Sequence, residues 1–117
     1  MRIYTHTCSA PTTETGFCDL TEELRDAIAA AEIQAGRASV FSRRAECAVF
    51  LNENESGLRA DLDRTFTRLL PGSPLAGSSS VVVPVCEGRP WLGDWQRVMA
   101  FVSDRADGNF VIQVAGA

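Results

Sequence analysis

The sequence is short, slightly acidic and ordinary in its hydrophobic content. It has 117 residues, of which 45% are hydrophobic, and fifteen Asp and Glu side chains outnumber eleven basic ones to give a formal net charge of −4. A chain of this length buries a single core, so residues 1–117 are predicted to form one domain. The acidic balance excludes a non-specific nucleic-acid binder, because neutralising phosphates requires a basic surface. No stretch is long and apolar enough for a membrane span or a signal peptide, which predicts a cytoplasmic protein without a membrane partner.

The first segments are predicted to form a strand and an amphipathic helix. Residues 3–8 alternate loosely and contain residue types that favour strands. Residues 19–35 place their apolar side chains on one face, and Glu22 and Glu23 stand at the positive end of the helix dipole. Gly36 is expected to stop this helix.

A charged corner separates the next two predicted strands. Residues 38–42 and 47–51 have the β-branched and aromatic content of buried strands, and residues 43–46 interrupt them with the sequence RRAE. We therefore expect these two strands to pair antiparallel across a polar turn. A second helix is predicted over residues 56–70, where leucines and a phenylalanine recur at helical spacing.

The second half of the chain reads as strands joined by tight turns. Strands are predicted at residues 81–86, 97–103 and 109–114, with turns at residues 87–88 and 107–108. This pattern predicts a β-meander. The fold class is therefore α+β, with two helices packed on mainly antiparallel β-sheets.

The cysteines and the one histidine do not form a recognisable metal motif. Cys8, Cys18, Cys47 and Cys86 are irregularly spaced, without a CxxC pair. In a cytoplasmic chain they are interpreted as reduced, buried, small hydrophobic residues rather than zinc ligands or a nucleophile. His6, on the first predicted strand, is interpreted as a structural hydrogen-bonding residue.

A dense polar segment follows the strand at residues 47–51. Residues 52–57, with the sequence NENESG, place carboxylates, amides and a glycine between a strand and a helix. Side chains in such a connection can converge on a ligand from a rigid base. We look for the functional site here.

Four segments, in this order, resemble one known family. They are GFCDLTEELRDAI at residues 16–28, FSR followed by AVFLNENESGLRADLDRTFTRLLPG within residues 41–72, GSSSVVVPV at 77–85 and LGDWQRV at 92–98. Together they resemble the YjbQ-like family, often labelled secondary thiamine-phosphate synthase. The resemblance implies a compact α+β subunit that assembles as a homotrimer, with a polar pocket near the subunit boundaries. It also implies a weak thiamine-phosphate-forming activity and a metal or anion site built from histidines.

The chain departs from this family where the histidines are expected. The family's His-Thr-Thr run is replaced by Arg44, Ala45 and Glu46, and its histidine-bearing segment before the third region is replaced by the short bridge at residues 73–76. The family's G-T-W-Q has become GDWQ at residues 93–96. A site that needs several imidazoles cannot be built from one histidine per chain, so we predict no metal and no cofactor.

The remaining polar residues define a candidate site without metal. Carboxylates are the candidate acids and bases, arginine is the candidate anion ligand, and an indole is the candidate apolar wall. The candidate catalytic residues are Glu46, Glu53 and Asp94. The candidate substrate-binding residues are Ser42, Arg44 (or its neighbour Arg43), Asn52, Asn54, Trp95 and Gln96.

Three functions are compatible with this site. The first is a metal-free small-molecule enzyme of specialised metabolism that acts on an anionic or polar substrate. The second is a non-catalytic trimeric binding or structural protein, in which the same charges are solvated or form ion pairs between subunits. The third is a residual thiamine-phosphate-forming activity. The enzyme hypothesis predicts that Glu46, Glu53 and Asp94 line one concave pocket.

Overall fold

Two β-sheets and one helix are formed by the part of the chain that the structure describes. The structure, a computed structural model, describes residues 1–10, 16–44, 47–53, 79–102 and 108–117. Its elements in chain order are β1 (Arg2–Ala10), β2 (Phe17–Asp19), α1 (Thr21–Ala31), β3 (Ala35–Ser42), β4 (Cys47–Asn52), β5 (Ser80–Cys86), β6 (Arg89–Pro90), β7 (Arg97–Val102) and β8 (Gly108–Gly116). The second helix predicted at residues 56–70 lies outside the described residues, as does residue 107 of the turn predicted at residues 107–108.

The strands form a larger and a smaller sheet. The larger sheet has the order β1-β8-β3-β5-β6, and the smaller one has the order β2-β7-β4. Every neighbouring pair is antiparallel. The predicted combination of helix and mainly antiparallel sheet is therefore confirmed for the described residues.

Two predicted strand pairings are wrong. β3 pairs with β8 and β5, whereas β4 pairs with β7, so the charged corner after Ser42 carries the chain from one sheet to the other. Likewise β7 and β8 lie in different sheets and do not form the predicted meander. Both predictions assumed that neighbours along the chain pair with each other. That assumption fails here because β8 pairs instead with the distant strands β1 and β3, burying its alternate side chains between the layers.

Helix α1 covers the inner face of the larger sheet. Its buried residues are Thr21, Leu24, Ala27, Ile28 and Ala31, which confirms the predicted apolar face. The helix ends at Ala31 rather than at residue 35, because Glu32 takes a left-handed conformation with φ 55°. Of the residues predicted as its last turn, only Ala35 belongs to β3, and residues 32–34 connect the helix to that strand. No helix in the described ranges is long and apolar enough to cross a bilayer.

Polar contacts fix the start of α1 against the smaller sheet. The Thr21 amide donates to Asp19 Oδ1 at 2.9 Å, and the Thr21 hydroxyl accepts from the Val98 amide at 2.8 Å. Arg97 Nε donates to Asp19 Oδ2 at 2.8 Å. This hydrogen bond is the main cause of a raised pKa at Arg97. Because Asp19 forms hydrogen bonds with both α1 and β7, the first turn of the helix is held at the start of β7.

The core lies between the helix and the two sheets. Leu24 of α1, Val49 of β4 and Phe110 of β8 belong to one cluster of buried side chains, and each is fully buried. Burying such side chains is the main favourable contribution to folding. The described elements therefore share one core, and the polar candidates lie at its ends.

Candidate functional site

A sharp bend at the end of β3 positions two adjacent arginines. The Ser42 hydroxyl donates to the Arg44 carbonyl oxygen at 2.9 Å and accepts from the Arg44 amide at 3.2 Å. The Ser42 amide donates to the Ser79 carbonyl at 2.8 Å, and the Arg43 amide donates to the Asn109 carbonyl at 2.8 Å. Hydrogen bonds of the buried Ser42 side chain thus stabilise the bend itself. Backbone hydrogen bonds connect it to the starts of β5 and β8.

Both arginines line one polar cavity, which we call the arginine cavity. It has a volume of about 300 Å³ and is lined by Ser9, Arg43, Arg44, Gly108 and Asn109. Adjacent residues within a strand point in opposite directions. Arg43 and Arg44 can both line the cavity because they lie beyond the end of β3, where this alternation no longer applies.

Other candidate residues lie at the opposite end of the smaller sheet. Asn52 is opposite Arg97 at the last pair of β4 and β7, whereas Cys47, which follows the arginine bend, is opposite Val102. The five-residue separation along β4 corresponds to about 16 Å. Glu53 follows Asn52 and is exposed, with its amide bonded to Asn52 Oδ1 at 2.8 Å.

The turn at residues 94–95 lies at this same end, before β7. Gln96 Oε1 accepts from the Gly93 amide at 2.8 Å, and the Gln96 amide donates to the Gly93 carbonyl at 3.1 Å. Asp94 is exposed, and the Trp95 side chain is 76% exposed. Trp95 therefore does not pack in the core of its own chain. The indole remains available for a ligand or a neighbouring subunit.

The candidate residues thus fall into two groups within one chain. Ser42 and Arg44 are together in the bend, where Arg44 lines the arginine cavity, whereas Asn52, Glu53 and the segment from Asp94 to Gln96 are at the other end of β4. Glu53 and Asp94 do not line the arginine cavity. Glu46 and Asn54 lie outside the described residues, and their roles stay predictions.

A second cavity is also lined by arginines, and each of them has a carboxylate partner. It measures about 610 Å³ and is lined in part by Arg25, Arg89 and Trp91. Arg25 forms an ion pair with Glu22, and Arg89 Nη2 lies 3.6 Å from Glu87 Oε2. Within the described ranges, by contrast, no ion pair involves the Arg43 guanidinium.

The thiols differ widely in exposure. Cys47 is buried, Cys8 and Cys18 are partly exposed, and Cys86 is exposed. The interpretation of all four as buried hydrophobic residues is therefore wrong for Cys86, because alternate residues of β5 face outward and Cys86 is one of them. Burial raises the pKa of the Cys18 thiol to about 11, so this thiol is protonated at neutral pH.

The structure brings together three metal-binding side chains that the sequence analysis did not connect. They are His6 and Cys8 of β1 and Glu23 of α1, whose donor atoms all lie within 4.8 Å of one another. His6 Nε2 is 3.4 Å from Glu23 Oε2. The spacing of His6 and Cys8 was a usable signal, because residues two apart on a strand share a face. Glu23 carried no such signal, since only the packing of the helix on the strand brings it near.

A pocket built from several histidines does not fit this chain. The only histidine of the sequence is His6. It lies on β1, where it is paired with Ile112 of β8, and it does not line the arginine cavity. The bend that stands in place of the family's His-Thr-Thr run supplies arginine instead. We therefore derive no chemistry from a multi-histidine metal site.

Comparisons with known proteins bear on the suspected family. The sequence profile of the family described as "UPF0047 protein YjbQ-like" matches residues 6–76, which is more than half of the chain. A protein of Methanothermobacter thermautotrophicus described as a UPF0047 protein is 27% identical over 116 residues, covering 84% of this chain and 81% of that protein.

Solved structures share the whole fold. A YbjQ-like protein of unknown function from Sulfolobus solfataricus has a TM-score of 0.86 at 18% identity, covering 99% of both chains. A hypothetical protein from Aeropyrum pernix K1 has a TM-score of 0.87 at 23% identity, covering 97% of this chain and 98% of that one. Identities this low establish similarity of fold alone, and the family assignment depends on the profile match. The resemblance inferred from the sequence is thus confirmed, and the chain belongs to the YjbQ-like UPF0047 family.

Proposed function

We propose that the chain binds a small anionic molecule in the arginine cavity. The observation that carries the proposal is that two adjacent arginines, Arg43 and Arg44, line one polar cavity of about 300 Å³. Arginine presents several N–H donors in a planar fork that matches the oxygens of phosphate and carboxylate groups. Ser9 and Asn109 add a hydroxyl and an amide side chain at the same cavity.

The surroundings favour Arg43 over the other arginines discussed above as the ligand of an anion. Arg25 and Arg89, which line the second cavity, already have carboxylate partners, and Arg97 is hydrogen-bonded to Asp19. An arginine with a carboxylate partner binds an anionic ligand less strongly, because the carboxylate offsets its charge and competes for its N–H donors. The Arg43 guanidinium has no ion pair in the described part of the chain, which favours this residue as the ligand of an anion.

The proposal includes metal-free acid/base catalysis on the bound anion. Glu46 follows Arg44 by two residues, so its carboxylate is the candidate acid or base nearest to the cavity along the sequence. Glu53 and Asp94, at the other end of β4, would act on the same ligand only if a neighbouring subunit brought them there. A residual thiamine-phosphate-forming activity is the weaker alternative, since the multi-histidine pocket that the resemblance implies does not fit this chain.

Calorimetric titration with inorganic phosphate tests the anion site. We expect one site per chain, with affinity lowered about 10-fold or more by Arg43→Gln or Arg44→Gln, because a charge-assisted hydrogen bond is worth about 1.5–3 kcal/mol. The matched control is Arg89→Gln, which removes an arginine from the second cavity and leaves affinity unchanged. Equal affinity in the wild type and in both cavity variants would refute the proposal.

We also propose that the subunit assembles as a cytoplasmic homotrimer. In support, the resemblance implies a trimer, and the outer face of the larger sheet exposes apolar side chains. Ile3, Phe41 and Val82 lie on it and are 63%, 45% and 59% exposed. A second subunit that covers this face would remove those side chains from water.

Sedimentation velocity measures the assembly directly. We expect the wild-type chain to sediment as a trimer and Phe41→Lys to sediment as a monomer, because the new charge lies within the apolar face. Trp91→Lys is the control, since Trp91 is 72% exposed but lies outside that face, at the second cavity. A wild-type chain that sediments as a monomer at all concentrations contradicts the proposed assembly.

A further inference from the structure

Strand β1 places an imidazole and a thiol side by side beneath helix α1. Along β1 the side chains alternate, with Tyr4, His6 and Cys8 partly buried and Thr5, Thr7 and Ser9 exposed. His6 and Cys8 are opposite the buried residues Ile112 and Phe110 of β8, on the face that α1 covers. Their common orientation therefore follows from the register of β1 on β8.

Helix α1 adds a carboxylate to this pair. Glu23 is in the first turn of the helix, beside the buried Leu24, and its Oε2 is 3.4 Å from His6 Nε2. The Cys8 thiol also lies within 4.8 Å of this carboxylate. Two elements that are distant in the sequence thus direct three different donor atoms to one point, with all three within 4.8 Å of one another.

We propose that His6, Cys8 and Glu23 form a zinc site. Imidazole nitrogen, thiolate sulfur and carboxylate oxygen are the three donor types that Zn²⁺ takes in proteins, and sulfur excludes Mg²⁺ and Ca²⁺ as preferred ions. Ligand atoms around a tetrahedral zinc ion are roughly 3.3–3.6 Å apart, from zinc–ligand distances of about 2.0–2.3 Å. The distance of 3.4 Å between His6 Nε2 and Glu23 Oε2 already has this value, and the Cys8 sulfur lies within 4.8 Å of both donors.

The proposed site leaves one coordination position for water or another ligand. Three protein ligands with a fourth open position are the arrangement of zinc sites that bind or activate a small molecule, whereas structural sites have four protein ligands. β1 is an edge strand of the larger sheet, and the side chains of His6 and Glu23 are 38% and 50% exposed. An ion can therefore reach the site from solvent without unfolding the chain.

The charge of a bound zinc ion would change the protonation state of the Cys8 thiol. Without a cation, burial and, secondarily, the charge of Glu23 raise the pKa of Cys8 and favour its protonated thiol. Zn²⁺ reverses this preference because the thiolate coordinates the ion directly, so binding releases the thiol proton to solvent. The zinc site is separate from the arginine cavity, since none of its three ligands lines that cavity.

Metal titration of the untagged full chain tests the proposal. Zn²⁺ affinity is measured by competition with a chromophoric chelator, and Co²⁺ reports the ligands, because a thiolate ligand gives a charge-transfer band in the near ultraviolet. We expect one Zn²⁺ per chain, no competition by Mg²⁺, and a cobalt band that Cys8→Ser removes. His6→Gln, Cys8→Ser and Glu23→Gln should each weaken Zn²⁺ binding at least about 100-fold, since changes to residues that only orient a ligand cost roughly 10- to 100-fold.

Matched controls separate this site from other binding. Cys86→Ser removes an exposed thiol, and Glu22→Gln removes the carboxylate next to Glu23, so both should leave Zn²⁺ affinity unchanged. Arg43→Gln should also leave it unchanged, which distinguishes this site from the anion site. Circular dichroism of the metal-free variants confirms folding, and Glu23→Gln, at an exposed helix position, serves if Cys8→Ser does not fold. Absence of zinc binding, or binding that survives Glu23→Gln and His6→Gln, overturns the proposal.

Discussion

Replacing Phe110 by alanine is expected to lower the free energy of unfolding by about 3–5 kcal/mol, the cost of removing a buried aromatic side chain and leaving a cavity. Phe110 is fully buried and lies in β8 between Cys8 of β1 and Ser42 of β3. It therefore supports both the zinc ligands on β1 and the arginine bend after β3. A loss of this size is a large part of the roughly 5–15 kcal/mol that stabilises a typical domain.

Urea unfolding followed by circular dichroism measures this loss. The control is Val111→Ala, because Val111 is the next residue of β8, faces the other side of the sheet and is only partly buried. We expect the control to cost about 1 kcal/mol, in proportion to its smaller buried area. Equal losses for the two variants would show that the core does not lie between the layers as described.

Replacing Gly36 by alanine is expected to destabilise the chain by about 3 kcal/mol, because an added methyl group has no room between the two backbones. Gly36 of β3 is opposite Gly116 of β8 in the strand register. A Cβ at Gly36 would overlap the carbonyl oxygen of Ala115 and lie 2.8 Å from the Cα of Gly116. Backbone atoms cannot rotate away as a side chain can, so the two strands would have to separate.

The same denaturant experiment applies, with Gly93→Ala as the control. A Cβ at Gly93 would meet only the Gln96 side chain, with its closest atom at 3.3 Å, and Gly93 is exposed. We expect a change within about 0.5 kcal/mol for the control, as for most surface substitutions. If Gly36→Ala were as stable as the wild type, the close approach of β3 and β8 would be refuted.

Local sequence patterns predicted most of the described elements but not their partners. Alternation and residue type predicted β1, β3, β4, β5, β7 and β8 at nearly their observed positions. The pairings of β3 with β4 and of β7 with β8 were wrong, because pairing depends on which distant strand buries the same face. The short strands β2 and β6 were missed, since two or three residues carry too little periodicity to be recognised.

The candidate site was only partly predictable from the sequence, because its geometry also depends on contacts between distant segments. The sequence indicated Arg44, or its neighbour Arg43, as an anion ligand, but it could not show that both line one cavity after a bend. It also grouped Arg44 with Glu53 and Asp94, which the strand β4 separates within one chain. Glu23 joined His6 and Cys8 only through tertiary packing, which no local pattern contains.

Nuclear magnetic resonance of the ¹⁵N-labelled chain tests the location of the anion site most directly. Titration with inorganic phosphate should shift the amide signals of Arg43, Arg44 and Asn109, which surround the arginine cavity. The amides of Glu53, Asp94 and Trp95 should not move. Shifts confined to Glu53, Asp94 and Trp95, or no shifts at all, would contradict the account.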